Sequence, residues 1–238
     1  DAVLNQVLTL HGSMPMPPAN LRMRVGGTPS PVEFLEVGRN CMTDIEKSLP
    51  VKGQGLERFA RILDFGCGCG RTLRWFDIQE VRGPQLHGCD IDGEAIEWCR
   101  LHMGQRFTFQ HVAPVPRTHY TDNQFDLVYG ISVFSHLPED MQFAWLAELR
   151  RILRPGGILL ASFHGPHLFR GSDAAAFQTK GFAYVTSGGT AGLPDFYQTA
   201  YHTHEYIRES WASYFDVRDL RTKALNSHQD LAVVQKRP

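Results

Sequence analysis

Short apolar blocks alternate along this chain with stretches in which apolar residues recur every three to four positions. The blocks read as strands and the recurring stretches as helices. Arg61–Phe65, Gln85–Asp90, Phe107–Phe109, Phe125–Tyr129 and Ile158–Phe163 are five predicted strands in order. Phe34, Gly38, Met42, Ile45 and Leu49 share helical spacing and predict a helix over about 31–48. Ala95, Ile96, Cys99 and Met103 predict another, with Asp92 as its N-cap. A third runs from Pro138 to Leu153, acidic first (Glu139, Asp140) and basic last (Arg150, Arg151), as the helix dipole favours. Pro155-Gly156-Gly157 is its expected terminator, and a further helix is expected from Thr203 to Tyr214.

The first strand runs into Gly66-Cys67-Gly68-Cys69-Gly70-Arg71, a strand, a glycine turn and the expected start of a helix. Glycine permits tight turning and close approach of a ligand to the main chain. The dinucleotide fingerprint G-x-G-x-x-G would need glycine at position 71, and arginine stands there. Asp90 ends the second strand, twenty residues after Gly70, where a carboxylate can take both hydroxyls of a ribose.

Asp64 with the 66–70 glycines, Asp126-Leu127-Val128, and Leu149 to Gly157 with its L-R-P-G-G ending resemble the ordered motifs of the class I S-adenosylmethionine-dependent methyltransferases. The resemblance covers about 62–163 and continues more weakly over 214–236. It implies a Rossmann-like α/β fold, a doubly wound sheet of seven strands, mostly parallel, with a C-terminal antiparallel hairpin. It implies a cap at residues 1–50 and a catalytic domain at 51–238. It also implies S-adenosylmethionine as cofactor, leaving as S-adenosylhomocysteine. By resemblance, Asp64 orients the loop behind the methionyl end, and Gly66, Cys67, Gly68, Gly70 and Arg71 hold that end with exposed N–H groups. Asp90 takes the ribose, and Ile91 and Ile131 pack on the cofactor. Many members carry an acidic residue after the third strand for the adenine amino group; here Gln110 or Val112 stands in that region.

Composition narrows the partners. The formal net charge is −1 with no run of lysine or arginine, which argues against nucleic acid and an acidic membrane surface. No apolar run approaches the ~20 residues that cross a bilayer. The first ten residues (Val3, Leu4, Val7, Leu8) form a short amphipathic pattern rather than a leader, and the start at Asp1 leaves room for residues upstream. Five cysteines, an odd number placed in core elements, point to free thiols and a cytoplasmic home.

Residues 1–31 hold five of the fourteen prolines and read as irregular after that short helix. In the resembled family, helices such as 31–48 lie over cofactor and substrate; covering a sheet edge is the plainer alternative. The stretch 164–202, rich in glycine and aromatics, reads as a substrate-covering insertion or as a dimerisation element of a homodimer.

The acceptor side is less determined. The tetrapeptides N-P-P-Y and D-P-P-Y, by which nucleobase and protein-glutamine N-methyltransferases grip an amino group, are missing from Gly130–His136. The family resemblance implies a hydroxyl or carboxylate of a small molecule as the acceptor, with a hydroxyl oxygen the expectation taken forward. Its proton needs a base, and His164 is the first choice, with His136 second. His164, Tyr197 and His202 are expected to touch substrate. No metal is expected; a site made from His164, His167, His202 and His204 with Asp173 or Asp195 is a minor alternative. An N-directed enzyme, a nicotinamide-dependent oxidoreductase and a non-catalytic cofactor-binding module are the competing functions.

Overall fold

The computed structural model describes residues 14–49, 55–79, 81–186 and 193–238. The amphipathic stretch expected over the first ten residues lies outside these. Seven strands form the main sheet: β1 (Arg61–Phe65), β2 (Gln85–Asp90), β3 (Phe107–His111), β4 (Phe125–Gly130), β5 (Leu153–Phe163), β8 (Asp216–Leu225) and β9 (Gln229–Gln235). Their order is β3-β2-β1-β4-β5-β9-β8. The first five are parallel, and β9 and β8 run antiparallel. This is the Rossmann-like methyltransferase arrangement expected from the motifs.

Alternation along the central strands sends side chains to two cores. Ile62, Leu127 and Leu160 pack with α2 (Pro31–Ser48) and α4 (Gly93–His102); Leu63, Val128 and Leu159 pack with α5 (Glu139–Ile152) and α7 (His204–Ser210). Local chemistry sets the helix starts. Ser30 accepts the Glu33 amide ahead of Pro31, and Asp92 accepts the Glu94 and Ala95 amides. Asp126 serves the fold: its carboxylate takes the Arg61 amide at 2.7 Å, fixing the start of β1, and pairs with Arg154 at 2.6 Å.

Three expectations change. Within 1–31 the chain forms α1 (Ala19–Gly26), which Gly27 closes at φ 70°. After Gly70 the chain stays in turns until α3 (Arg74–Ile78). Pro155-Gly156-Gly157 does not follow the end of α5. It lies inside β5, where pairing to β4 jumps from Phe125↔Leu153 to Leu127↔Ile158, so the strand absorbs it as a bulge. Within 164–202 the described residues form α6 (Ala174–Lys180) and β6 (Phe182–Val185) paired antiparallel with β7 (Thr199–His202). A bridge between His164 and Tyr201 ties it to the end of β5.

Candidate functional site

The C-terminal ends of β1, β2 and β4 open into a cleft of about 980 Å³, counting its mouth, where doubly wound sheets bind ligands. One side is the glycine loop. Gly66, Gly68 and Gly70 all have positive φ (80°, 51° and 76°). A Cβ on Gly66 would lie 2.3 Å from Val133, and one on Gly68 would lie 2.5 Å from Val25. Behind the loop, α2 presses its Gly38 so close that a Cβ there would meet the Arg71 carbonyl at 2.3 Å.

The loop amides are not exposed as expected. Gly66 and Cys67 donate to the Cys89 carbonyl (2.8 and 3.0 Å), Gly70 to the Cys67 carbonyl (3.0 Å) and Gly68 to Asp90 Oδ2 (2.7 Å). A pyrophosphate needs free amides, and these four are already engaged.

Asp64, 2 % exposed, lines the cleft beneath the loop. Burial pushes its carboxyl up to about 8; the Tyr129 hydroxyl works against this, Asp90 adds to it and Arg71 opposes it. Tyr129 does not reach it in good hydrogen-bond geometry, and no cation pairs with it among the described residues. Arg71 also faces the cleft, one guanidinium nitrogen on the Val25 carbonyl (3.1 Å) and its buried Nε without a partner. A buried carboxyl awaiting a cation beside an arginine with a spare donor fits the ammonium and carboxylate of an amino acid.

At the other end Asp90 Oδ1 takes the Asp92 amide at 2.8 Å. Each Asp90 oxygen keeps a lone pair for a ribose hydroxyl. Ile91, Val112 and Pro114 form an apolar slot beside it. Cys67 lines the cleft as well, whereas Gly70 lies outside it against Met103. Gln110 is also outside, its side-chain oxygen taking the His119 amide at 3.4 Å. The cover is α1, through Val25 and through Arg24, which pairs with Asp92 (2.8 Å) and Glu94. It is α1, more than the 31–48 helix, that overlies the loop. Sequence reasoning missed both residues, since nothing in the proline-rich start marks them.

The end of β4 supplies Ile131, Ser132 and Val133, and the insertion supplies Leu193, Phe196 and Tyr197 opposite them. The Tyr197 hydroxyl donates to the Ser132 carbonyl (3.2 Å), and its ring stacks on His136 at 4.3 Å. The histidines stand back from the cleft. His136 Nδ1 donates to the Gln198 carbonyl (2.7 Å), and burial lowers its pKa. His164 lies behind Ser132, with Nε2 3.3 Å from Gln229 Nε2. Burial, with His136 and His228 adding, lowers it to about 4. His202 is fully buried, Nε2 on Gln142 Oε1 at 2.8 Å, and burial lowers it to about 3. It is a core residue here, not a substrate contact. His204 turns to Asp230 at 2.7 Å, and among the described residues no three metal-ligating side chains come together. All five cysteines are free and buried.

Comparison with known proteins bears on the fold and the family. Residues 62–157 match the family described as a methyltransferase domain. The tRNA N(3)-cytidine methyltransferase METTL2 of Mus musculus is 31% identical over 151 residues, 55% of this chain and 36% of that protein. The ubiquinone biosynthesis O-methyltransferase of Dinoroseobacter shibae is 28% identical over 155 residues, 64% of this chain and 56% of that protein. The chain spans only 27% to 38% of the length of the first curated relatives it matches. Among solved structures, the Burkholderia thailandensis 1,6-didemethyltoxoflavin-N1-methyltransferase with bound 1,6-didemethyltoxoflavin and S-adenosylhomocysteine has a TM-score of 0.58. That likeness holds at 18% identity and covers 86% of this chain and 80% of that one.

Proposed function

Because the chain belongs to the class I S-adenosylmethionine-dependent methyltransferase superfamily, we propose that it methylates a hydroxyl oxygen of a small, largely apolar molecule. The bound cofactor supplies an electrophilic methyl group on a sulfonium. The protein's part is orientation and exclusion of water. In this reading Asp64 and Arg71 hold the amino-acid end and Asp90 holds the ribose. Ile91, Val112 and Pro114 sandwich the base, and α1 covers the whole. The acceptor enters between Ile131–Val133 and Leu193, Phe196 and Tyr197.

The observation that carries the oxygen assignment is the Tyr197 bond to the Ser132 carbonyl. That carbonyl lies just past β4, where amino-directed enzymes offer backbone oxygens to an N–H group, and here the Tyr197 hydroxyl takes one of its two lone pairs. The apolar walls suit a compact organic ligand. Incubation with labelled methyl donor and a panel of hydroxylated and amino compounds tests this. Label should appear on oxygen; label on nitrogen alone would refute it.

A second reading takes tRNA as acceptor, favoured by the relatives that are tRNA methyltransferases. The balanced charge of the chain supports it less. Transfer of label to tRNA, with none to the small molecules, would reverse the ranking.

A further inference from the structure

A chain of hydrogen bonds beneath the cleft fixes which way the Ser132 hydroxyl can donate. The Ser132 amide donates to Ser162 Oγ (2.8 Å), and Ser162 donates to Gln229 Oε1 (2.6 Å). Gln229 Nε2 then donates to Ser132 Oγ (2.9 Å) and to His164 Nε2 (3.3 Å). Turning the Gln229 amide over would leave the hydroxyl hydrogen of fully buried Ser162 without an acceptor. In the satisfied arrangement Ser132 accepts from below, and its own hydrogen is uncommitted. Ser132 lines the cleft at φ 58°, a left-handed conformation the closed network holds in place.

The same network decides the bases. Because Gln229 donates to it, His164 Nε2 has no lone pair left for a substrate proton. His202 Nε2 donates to Gln142, whose own amide nitrogen is spent on the Phe134 and Leu137 carbonyls. His136 keeps a free Nε2, but its ring lies behind Tyr197 and does not line the cleft. Among the described residues, the β4 end thus presents one donor and no basic imidazole.

We propose that the Ser132 hydroxyl donates to the nucleophilic oxygen of the acceptor, and that the acceptor is a phenol or enol held as its anion. This rests on the oxygen-directed reading above and sharpens it. An acidic hydroxyl loses its proton to water without a strong base, and a fixed donor stabilises the anion formed. The phenolate oxygen forms the new C–O bond as the C–S bond to the methyl breaks, the electron pair staying on sulfur. An alcohol or sugar hydroxyl would need the base this site lacks, and an N–H group would meet a donor instead of an acceptor.

The test uses para-nitrophenol, whose ionisation is visible by absorbance, titrated into protein saturated with S-adenosylhomocysteine. The wild type should bind it and lower its ionisation midpoint below the solution value. Ser132→Gly, which tolerates the positive φ, should abolish that shift. Gln229→Glu should do the same by drawing the Ser132 hydrogen inward, and so reports the donor with Ser132 in place. Asp64, Asp90, Asp92, Arg24 and Arg71 face the cleft in all three proteins; Gln229→Glu also adds a carboxylate below the site, so Ser132→Gly, which leaves every charge unchanged, is the variant that isolates the hydroxyl. Equal midpoints in wild type and variants, or no binding to the wild type, would overturn the inference. Methylation of alcohols but never phenols would sink it while leaving oxygen-directed transfer standing. A Ser132-dependent shift without methylation of any hydroxylated compound would sink oxygen-directed transfer and leave the anion site.

Discussion

Asp90 Oδ2 holds the amide of Gly68 at 2.7 Å, so the residue that ends β2 also shapes the loop that follows β1. One carboxylate thereby sets the loop conformation and presents lone pairs to a ribose. Removing it loosens both. Asp90→Ala should weaken S-adenosylhomocysteine binding by roughly ten- to a hundredfold, about 1.5–3 kcal/mol for bonds to a charged group. Calorimetry reads this directly; an unchanged affinity would remove Asp90 from the site.

Asp64 makes cofactor binding depend on pH. Its carboxyl is protonated at neutral pH because burial raises it to about 8. An arriving ammonium favours the charged form. Binding at pH 7 should therefore release a proton, and affinity should rise as pH climbs towards 8. Calorimetry in buffers of different ionisation enthalpy measures the proton count. Zero release at pH 7 would contradict the assignment.

The same residue has a stability signature in the ligand-free protein. A folded pKa of about 8, well above that of an exposed aspartate, means its contribution is fully present below pH 4 and is lost as pH rises to about 8. The slope is at most about 1.4 kcal/mol per pH unit. Urea unfolding from pH 4 to 8 should show a smaller fall in stability for Asp64→Asn than for the wild type. Parallel pH profiles would contradict this.

Gly66 has φ 80° and faces Val133 at a distance no Cβ could share. Gly66→Ala should therefore distort the loop and raise the Kd for S-adenosylmethionine at least about tenfold, while the two strain sources also lower stability by about 1–3 kcal/mol. Far-UV dichroism should stay native. Wild-type affinity in this variant would mean that the ligand does not sit against the loop.

His202 is expected to act on stability alone. His202→Ala strands the Gln142 carbonyl oxygen in the core and opens a cavity, for a loss of roughly 2–4 kcal/mol. Denaturant midpoints give the loss, and cofactor affinity per folded molecule should not change. A selective rise in acceptor KM with stability intact would restore a substrate role.

Much of this was legible wherever the determinants are local. The 31–48 helix is bounded as expected because Ser30 and Pro31 mark its start and its apolar spacing is unbroken. β2 ends at Asp90, whose Oδ1 takes the Asp92 amide and turns the chain towards the next helix. Helix α1 was hidden by prolines on both sides, although Pro18 merely precedes its first turn and Pro29 follows its end. The P-G-G segment looks like a stop signal, and only pairing with β4 turns it into a bulge. In the site, the carboxylates and glycines were readable by type and spacing. The direction of the loop amides was not, since it depends on a carbonyl in β2. The roles of His164 and His202 were equally hidden, because Gln229 and Gln142, which decide them, lie 65 and 60 residues away.

The central claim is that the cleft between Asp64 and Asp90 receives an adenosyl amino acid. A calorimetric titration of the wild-type protein with S-adenosylmethionine tests it most directly, with NADH as the comparison ligand. Saturable one-to-one binding of the methyl donor, and none of NADH, is the predicted result. Tight binding of NADH with no heat from the methyl donor would contradict it.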